Sequence, residues 1–148
     1  MKNLRNFIKT TVMEFLNEQI TYKLDGDYIN YYIDKDKIGY IEYYYDGSNY
    51  TDSLSGQKEF YIAMIEVYDD FRGNAYSTKM LNHIKNFAKQ KGATIITLRV
   101  DEGLGFTNRQ PGKGLEKLYL KNGFKYLYSE DEVENDETKN LGAMYFLL

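Results

Sequence analysis

One carboxylate interrupts an otherwise apolar run in this 148-residue chain: Glu66, between Phe60 and Val67, with Asp69 and Asp70 close behind. A carboxylate facing a dry cleft holds its proton more tightly and can act as a general base, directly or through water. One facing a solvated edge does neither, and the two aspartates can equally serve the N-terminus of a following helix. Tyr119 stands on a short helical segment before Gly123, where an aromatic with a bonded hydroxyl is ordinary packing. His83, the single histidine, lies beside Met80 and Ile84, a structural position on a helix flank. With one histidine and no cysteine, a multi-His metal site, a zinc–thiolate site, a thiol nucleophile and a disulfide framework are all excluded, and no metal is expected. Between Ser129 and Asn140 stand Glu130, Asp131, Glu132, Glu134, Asp136 and Glu137. They form either an acidic rim that steers a cation or a solvated loop with no such role.

These residues need elements to hold them. Leu4, Phe7, Ile8, Val12, Phe15 and Leu16 recur at helical spacing, which predicts an amphipathic helix over about Leu4–Glu18. The segments Ile20–Leu24, Asp27–Ile33 and Lys37–Tyr45 are aromatic and β-branched, separated by Asp25-Gly26 and Asp34-Lys35-Asp36. They read as an antiparallel meander. Loops follow at Asp46–Asn49 and Ser53–Gly56. Phe60–Val67 is apolar on both strand faces except at Glu66, as a strand at the centre of a sheet would be.

A polar, glycine-bearing turn, Tyr68–Gly73, leads to a helical stripe of Met80, Leu81, Ile84, Phe87 and Ala88, closed by Gly92. Ala93–Val100 is the next strand, and strand–helix–strand at this spacing predicts a parallel pair. Asp101–Lys113 reads as a polar loop containing the only proline, Pro111. A helix over about Gly114–Asn122 carries Leu115, Leu118 and Tyr119 on one side. A strand from Phe124 to Tyr128, the acidic loop and a last strand over Ala143–Leu148 complete the chain. Without repeat or linker, one domain over 1–148 is expected.

The net charge of −3 argues against general binding to phosphate backbones, so no nucleic-acid partner is expected. Eight of the 16 tyrosines lie between Tyr28 and Tyr50, which suits half-buried strands. A stacking platform for bases would need basic residues interleaved with them. No apolar run reaches the roughly 18 residues of a membrane span and no signal peptide is evident. A cytoplasmic protein without a membrane partner is the expectation.

From about Phe60 to Leu148 the chain resembles the GCN5-related N-acetyltransferase (GNAT) superfamily. Two segments carry the likeness. In Val67-Tyr68-Asp69-Asp70-Phe71-Arg72-Gly73-Asn74-Ala75-Tyr76-Ser77, a central strand runs through a turn into the family's Arg/Gln-x-x-Gly-x-Gly/Ala loop. Arg72 fills the first place, while Ala75 and Ser77 stand where glycines are usual. Leu115-Glu116-Lys117-Leu118-Tyr119-Leu120-Lys121-Asn122-Gly123-Phe124 is similar to the family's helix ending in Leu-Tyr-x-x-x-Gly-Phe. The first sixty residues are less typical, because a helix precedes the first strand.

The resemblance implies a mixed α/β (α+β) acyltransferase fold, a central twisted sheet with helices on both faces. It implies acetyl transfer from acetyl-CoA to a primary amine by direct attack, in a soluble transferase with no metal. The residues implied to hold acetyl-CoA are Ile65 and Val67 by their backbone, then Arg72, Gly73, Asn74, Ala75, Tyr76, Ser77 and Thr78 around the helix start. Helix-start amides and a charge-assisted donor suit a pyrophosphate. Small side chains there let it approach, provided that Ala75 and Ser77 need no positive φ. Tyr119 is implied as the general acid, and Glu66 is the candidate base. The acceptor is a small-molecule or protein amine, a cationic one among the candidates, and a homodimer is open. Two alternatives stand beside this: a catalytically weak or inactive acyl-CoA-binding module on the same fold, and a small acidic protein-interaction domain.

Overall fold

Two tight turns fold the tyrosine-rich segment back on itself. In the computed structural model, which describes residues 20–73, 75–100 and 114–148, strand β1 (Ile20–Asp25) pairs antiparallel with β2 (Tyr28–Ile33). Strand β2 pairs antiparallel with β3 (Asp36–Tyr44). Gly26 takes φ 57° in the first turn and Asp34 φ 52° in the second, and aspartate is among the few side chains that tolerate this region. Period-two alternation then turns Ile29, Tyr31, Ile41 and Tyr43 inward, all buried. The Tyr43 ring stacks on Phe60 at 4.8 Å. Much of the tyrosine enrichment is thus strand and core.

Strand β4 (Glu59–Val67) pairs antiparallel with β3 and parallel with β5 (Ile95–Arg99). Strand β7 (Ala143–Leu147) lies between β5 and the two-residue β6 (Lys125–Tyr126). The sheet order is β1-β2-β3-β4-β5-β7-β6, which puts β4 at the centre, as its apolar run predicts.

Helix α1 (Tyr76–Gln90) connects β4 to β5. It buries Met80, Leu81, Ile84, Phe87 and Ala88 in one core cluster with Phe60, Ile62, Ile96 and Leu98. Each large side chain so removed from water stabilises by about 1.5–3 kcal/mol. Helix α2 (Gly114–Lys121) joins the same cluster through Tyr119. The two are tied by Lys85, whose Nζ donates to the Asn122 carbonyl at 2.6 Å and lies 4.1 Å from the centre of the Phe146 ring. His83 anchors α1 to the meander, with Nδ1 2.7 Å from the Tyr31 hydroxyl and its ring 4.2 Å from that of Tyr22. Its role is structural, as its flank position suggests.

Four expectations change or fall outside. The acidic segment is not all loop: Glu130–Asn135 forms a short helix, α3. It starts because Ser129 accepts from the Glu132 N–H while the Glu132 carboxylate accepts from the Ser129 N–H, a reciprocal cap. The strand expected over Phe124–Tyr128 shortens to Lys125–Tyr126. The helix expected over Leu4–Glu18 and the loop Asp101–Lys113 lie outside the described residues. Among the described residues no helix is long and apolar enough to cross a membrane.

Candidate active site

The two central strands part company. Parallel pairing of β4 with β5 runs from Glu59↔Ile95 only to Ile62↔Leu98, although β4 continues to Val67. The register against β3 jumps at the same place, with Tyr43 opposite Ile62 and Glu42 opposite Met64. Ala63 is therefore an extra residue, a bulge that bends the strand and ends its pairing. Ile65 and Val67 lie on the separated stretch, with their side chains buried and with no β5 partner for their backbone.

Just beyond, a 3-10 turn over Asp69–Phe71 carries the chain into α1. Arg72 braces it: Nε donates to the Val67 carbonyl at 2.9 Å and the guanidinium meets Asp69 at 2.8 Å. Two directions of its donor fork are thereby engaged within the turn, and the side chain is otherwise largely exposed. Gly73 takes φ 82°, with open space where a Cβ would stand. Ala75 is the residue before the helix and takes φ 59°, ψ 17°, with no side-chain cap. Positive φ is thus required at the very place where glycine is replaced, and an alanine held there costs about 1–2 kcal/mol. The first amides of α1 receive nothing from the Ala75 side chain and point out of the helix end. Tyr76, Ser77 and Thr78 form that first turn, half-buried. Asn74 lies outside the described residues.

Tyr119 is 3% exposed and packs its ring 5.7 Å from Phe124. Burial pushes its hydroxyl well above the ordinary tyrosine range, so it stays protonated throughout the physiological range. Glu66 is half-buried on the sheet face away from α1, directly opposite Tyr40. The Glu66 carboxylate beside the Tyr40 hydroxyl raises the Tyr40 pKa. Tyr119 and Glu66 belong to opposite faces, and the structure does not bring them together.

The same face of the sheet carries a cavity of about 550 Å³ beside the parting point. Its floor is Tyr61 and Thr97–Arg99; its walls are the β3–β4 loop on one side and the segments flanking α3 on the other. Glu59 fixes the first wall. Its carboxylate, 1% exposed, accepts from the Tyr50 and Thr51 N–H groups, both at 3.0 Å, and from the hydroxyls of Thr51 and Thr97. The Ser53 and Tyr128 hydroxyls, 2.6 Å apart, join the two walls. Glu66 does not line this cavity.

A bulged central strand thus leaves its parallel neighbour beside the start of α1. The model of the acetyltransferase (GNAT) family fits residues 5–124. The chain belongs to that family. No curated protein matches it. Solved GNAT structures share the fold. A GNAT-family acetyltransferase from Listeria monocytogenes superposes with TM-score 0.58 at 17% identity, over 83% of this chain and 65% of its own, so this chain spans just under two thirds of that protein. PaiA N-acetyltransferase from Thermoplasma acidophilum, solved with coenzyme A, gives TM-score 0.54 at 15% identity, over 97% and 70%. Arabidopsis thaliana Naa50, solved with a bisubstrate analogue, gives 0.54 at 17%, over 97% and 93%. Identities this low carry the fold alone.

Sequence reasoning missed the cavity in this GNAT chain. Glu59 opens an apolar strand and Thr97 interrupts one. Each was a weak sign of a buried polar pair, but their meeting depends on the β4–β5 register.

Proposed function

We propose that this GNAT chain transfers an acetyl group from acetyl-CoA to a primary amine on a small molecule or protein. The observation that carries the reading is the parting of β4 from β5 after Ile62 and Leu98, next to the start of α1, where Ala75 gives no side-chain cap. The edge of Ile65 and Val67 that β5 leaves unpaired suits the amides of a pantetheine arm, the Val67 carbonyl itself being held by Arg72. The amides of Tyr76, Ser77 and Thr78, with Arg72 and the open space at Gly73, suit a pyrophosphate. Asn74 and Ala75 complete that loop.

In the reaction the neutral amine nitrogen bonds to the thioester carbonyl carbon, the C–S bond breaks, and the thiolate takes a proton. Tyr119 is the proposed donor of that proton, on the strength of the Leu-Tyr-x-x-x-Gly-Phe motif it occupies; its burial makes the hydroxyl a weaker acid, so the donation needs the thiolate close by. The amine's own proton goes to a base, reached through water. Glu66 is the only carboxylate on β4 past the bulge and is the candidate. The acidic segment around α3 would draw a cationic amine toward the site only weakly, because Glu132 and Asp136 already bond their own turns and Lys139.

A second reading has a specific observation behind it: the strained Ala75 favours a module that binds acyl-CoA weakly or without turnover. Thermal unfolding with excess acetyl-CoA, free CoA and ATP separates these. A ligand at ~100 times its Kd adds about 2.7 kcal/mol. A shift with both CoA species but not ATP, together with amine-dependent CoA release, supports the transferase. A shift without turnover over a broad amine panel supports the module. No shift removes both.

A further inference from the structure

The cavity lining carries three carboxylates, Asp52, Glu59 and Asp136, and two cations, Arg99 and Lys139. Glu59 is saturated by two amides and two hydroxyls. Asp136 accepts from the N–H and hydroxyl of Thr138 at 3.0 and 2.7 Å. Lys139 lies 3.5 Å from Glu132 and 4.0 Å from Asp136, over the Tyr128 ring. Asp52 sits on the exposed β3–β4 loop. Arg99 is different. It is the last residue of β5, shares a face with Thr97, and is opposite Ala143 in the sheet. It lines the cavity next to Leu98, the last residue paired with β4. Among the described residues no carboxylate pairs with its guanidinium.

An arginine is always charged and offers a planar fork of five donors suited to a carboxylate or phosphate. The Arg99 backbone is held on a strand, at the floor of a cavity whose walls are clasped by Glu59 and by Ser53–Tyr128, and its side chain is exposed. We propose that Arg99 is a specificity residue that binds an anionic group on the acceptor, so that this chain acts on amines also carrying a carboxylate or phosphate. This rests on the transferase reading. It reverses the expectation of a polycationic acceptor. Tyr61 of the floor and Tyr128 of the wall would cover the aliphatic or aromatic part between the two groups.

The test compares aminohexanoate, aminohexanamide, diaminohexane and aminohexyl phosphate, with β-alanine as a short member, in acetyl-CoA-dependent CoA release by wild type and Arg99→Gln. Preference for the anionic members by about tenfold in kcat/KM, lost in Arg99→Gln through KM with kcat little changed, is the expected result. The carboxylate and phosphate arms tell which anion is read. Preference for diaminohexane or the amide, or a preference that survives Arg99→Gln, overturns the proposal. NMR titration with the same compounds, without any CoA, reads the pocket alone. If turnover is absent because the transferase reading fails, binding of an anionic member that weakens about tenfold in Arg99→Gln still supports the pocket. Absence of such binding sinks it independently.

Discussion

The two ends of strand β4 are fixed by different means. At its start, Glu59 gathers a loop, a threonine of β5 and its own strand through one buried carboxylate. At its far end, the geometry is set mainly by backbone, with one side-chain brace at Arg72: a bulge at Ala63, positive φ at Gly73 and Ala75, and no side-chain cap from Ala75. A side-chain clasp suits a cavity that must be specific to one chain's ligand. A backbone cradle suits a co-substrate common to a family, and it tolerates changes of side chain so long as the dihedrals are reached.

The contrast is sharpest in what each end should lose on mutation. Glu59→Ala strands four donors, two of them backbone amides, and is expected to destabilise the fold by about 3 kcal/mol or more. Urea unfolding measures it, with Glu59→Gln losing less because it keeps an acceptor. A loss below about 1 kcal/mol would mean that water replaces the carboxylate freely and that the clasp is not structural. Tyr119→Phe is expected to lower kcat by about 100-fold, or ~2.7 kcal/mol, with little change in acetyl-CoA affinity. An unchanged kcat removes Tyr119 from the chemistry.

At the backbone end, Ala75→Gly should stabilise the protein by about 1 kcal/mol and tighten acetyl-CoA binding, because glycine relieves the left-handed strain. If it destabilises instead, the helix start is not limited by that strain. The smallest effect concerns His83, whose pKa burial lowers. The fold therefore favours the neutral ring, and the stability it contributes is present above the ordinary histidine pKa and falls as pH drops below it. Thermal unfolding of wild type should decline from about pH 6.5 downward. His83→Gln should flatten that decline, and equal slopes in the two proteins would exclude His83 as its source.

The same contrast explains how much was legible in the sequence. Alternation and turn residues located the meander, and the all-apolar run put β4 at the centre. The family motifs around Arg72 and Tyr119 were legible because each lies within one short stretch of chain. The first also pointed to Ala75 as the position where the dihedral matters, and the structure gives that dihedral as positive. The cavity was not legible. Glu59, Thr97, Arg99 and the Ser53–Tyr128 contact are distant in sequence and meet only through strand register. Six acidic residues between Ser129 and Asn140 argue for a loop and mask the Ser129-x-x-Glu132 cap that starts α3.

The brevity of the β4–β5 pairing has one further consequence, for folding rather than chemistry. Only four residue pairs join an antiparallel block β1–β4 to an antiparallel block β5-β7-β6. Strands within the first block are neighbours in sequence and can pair early, whereas the parallel joint needs α1 to cross over first. The expectation is a chain that assembles as two small sheets and closes the seam last. In native-state hydrogen exchange, the amides along that seam would then open together, ahead of those inside either block.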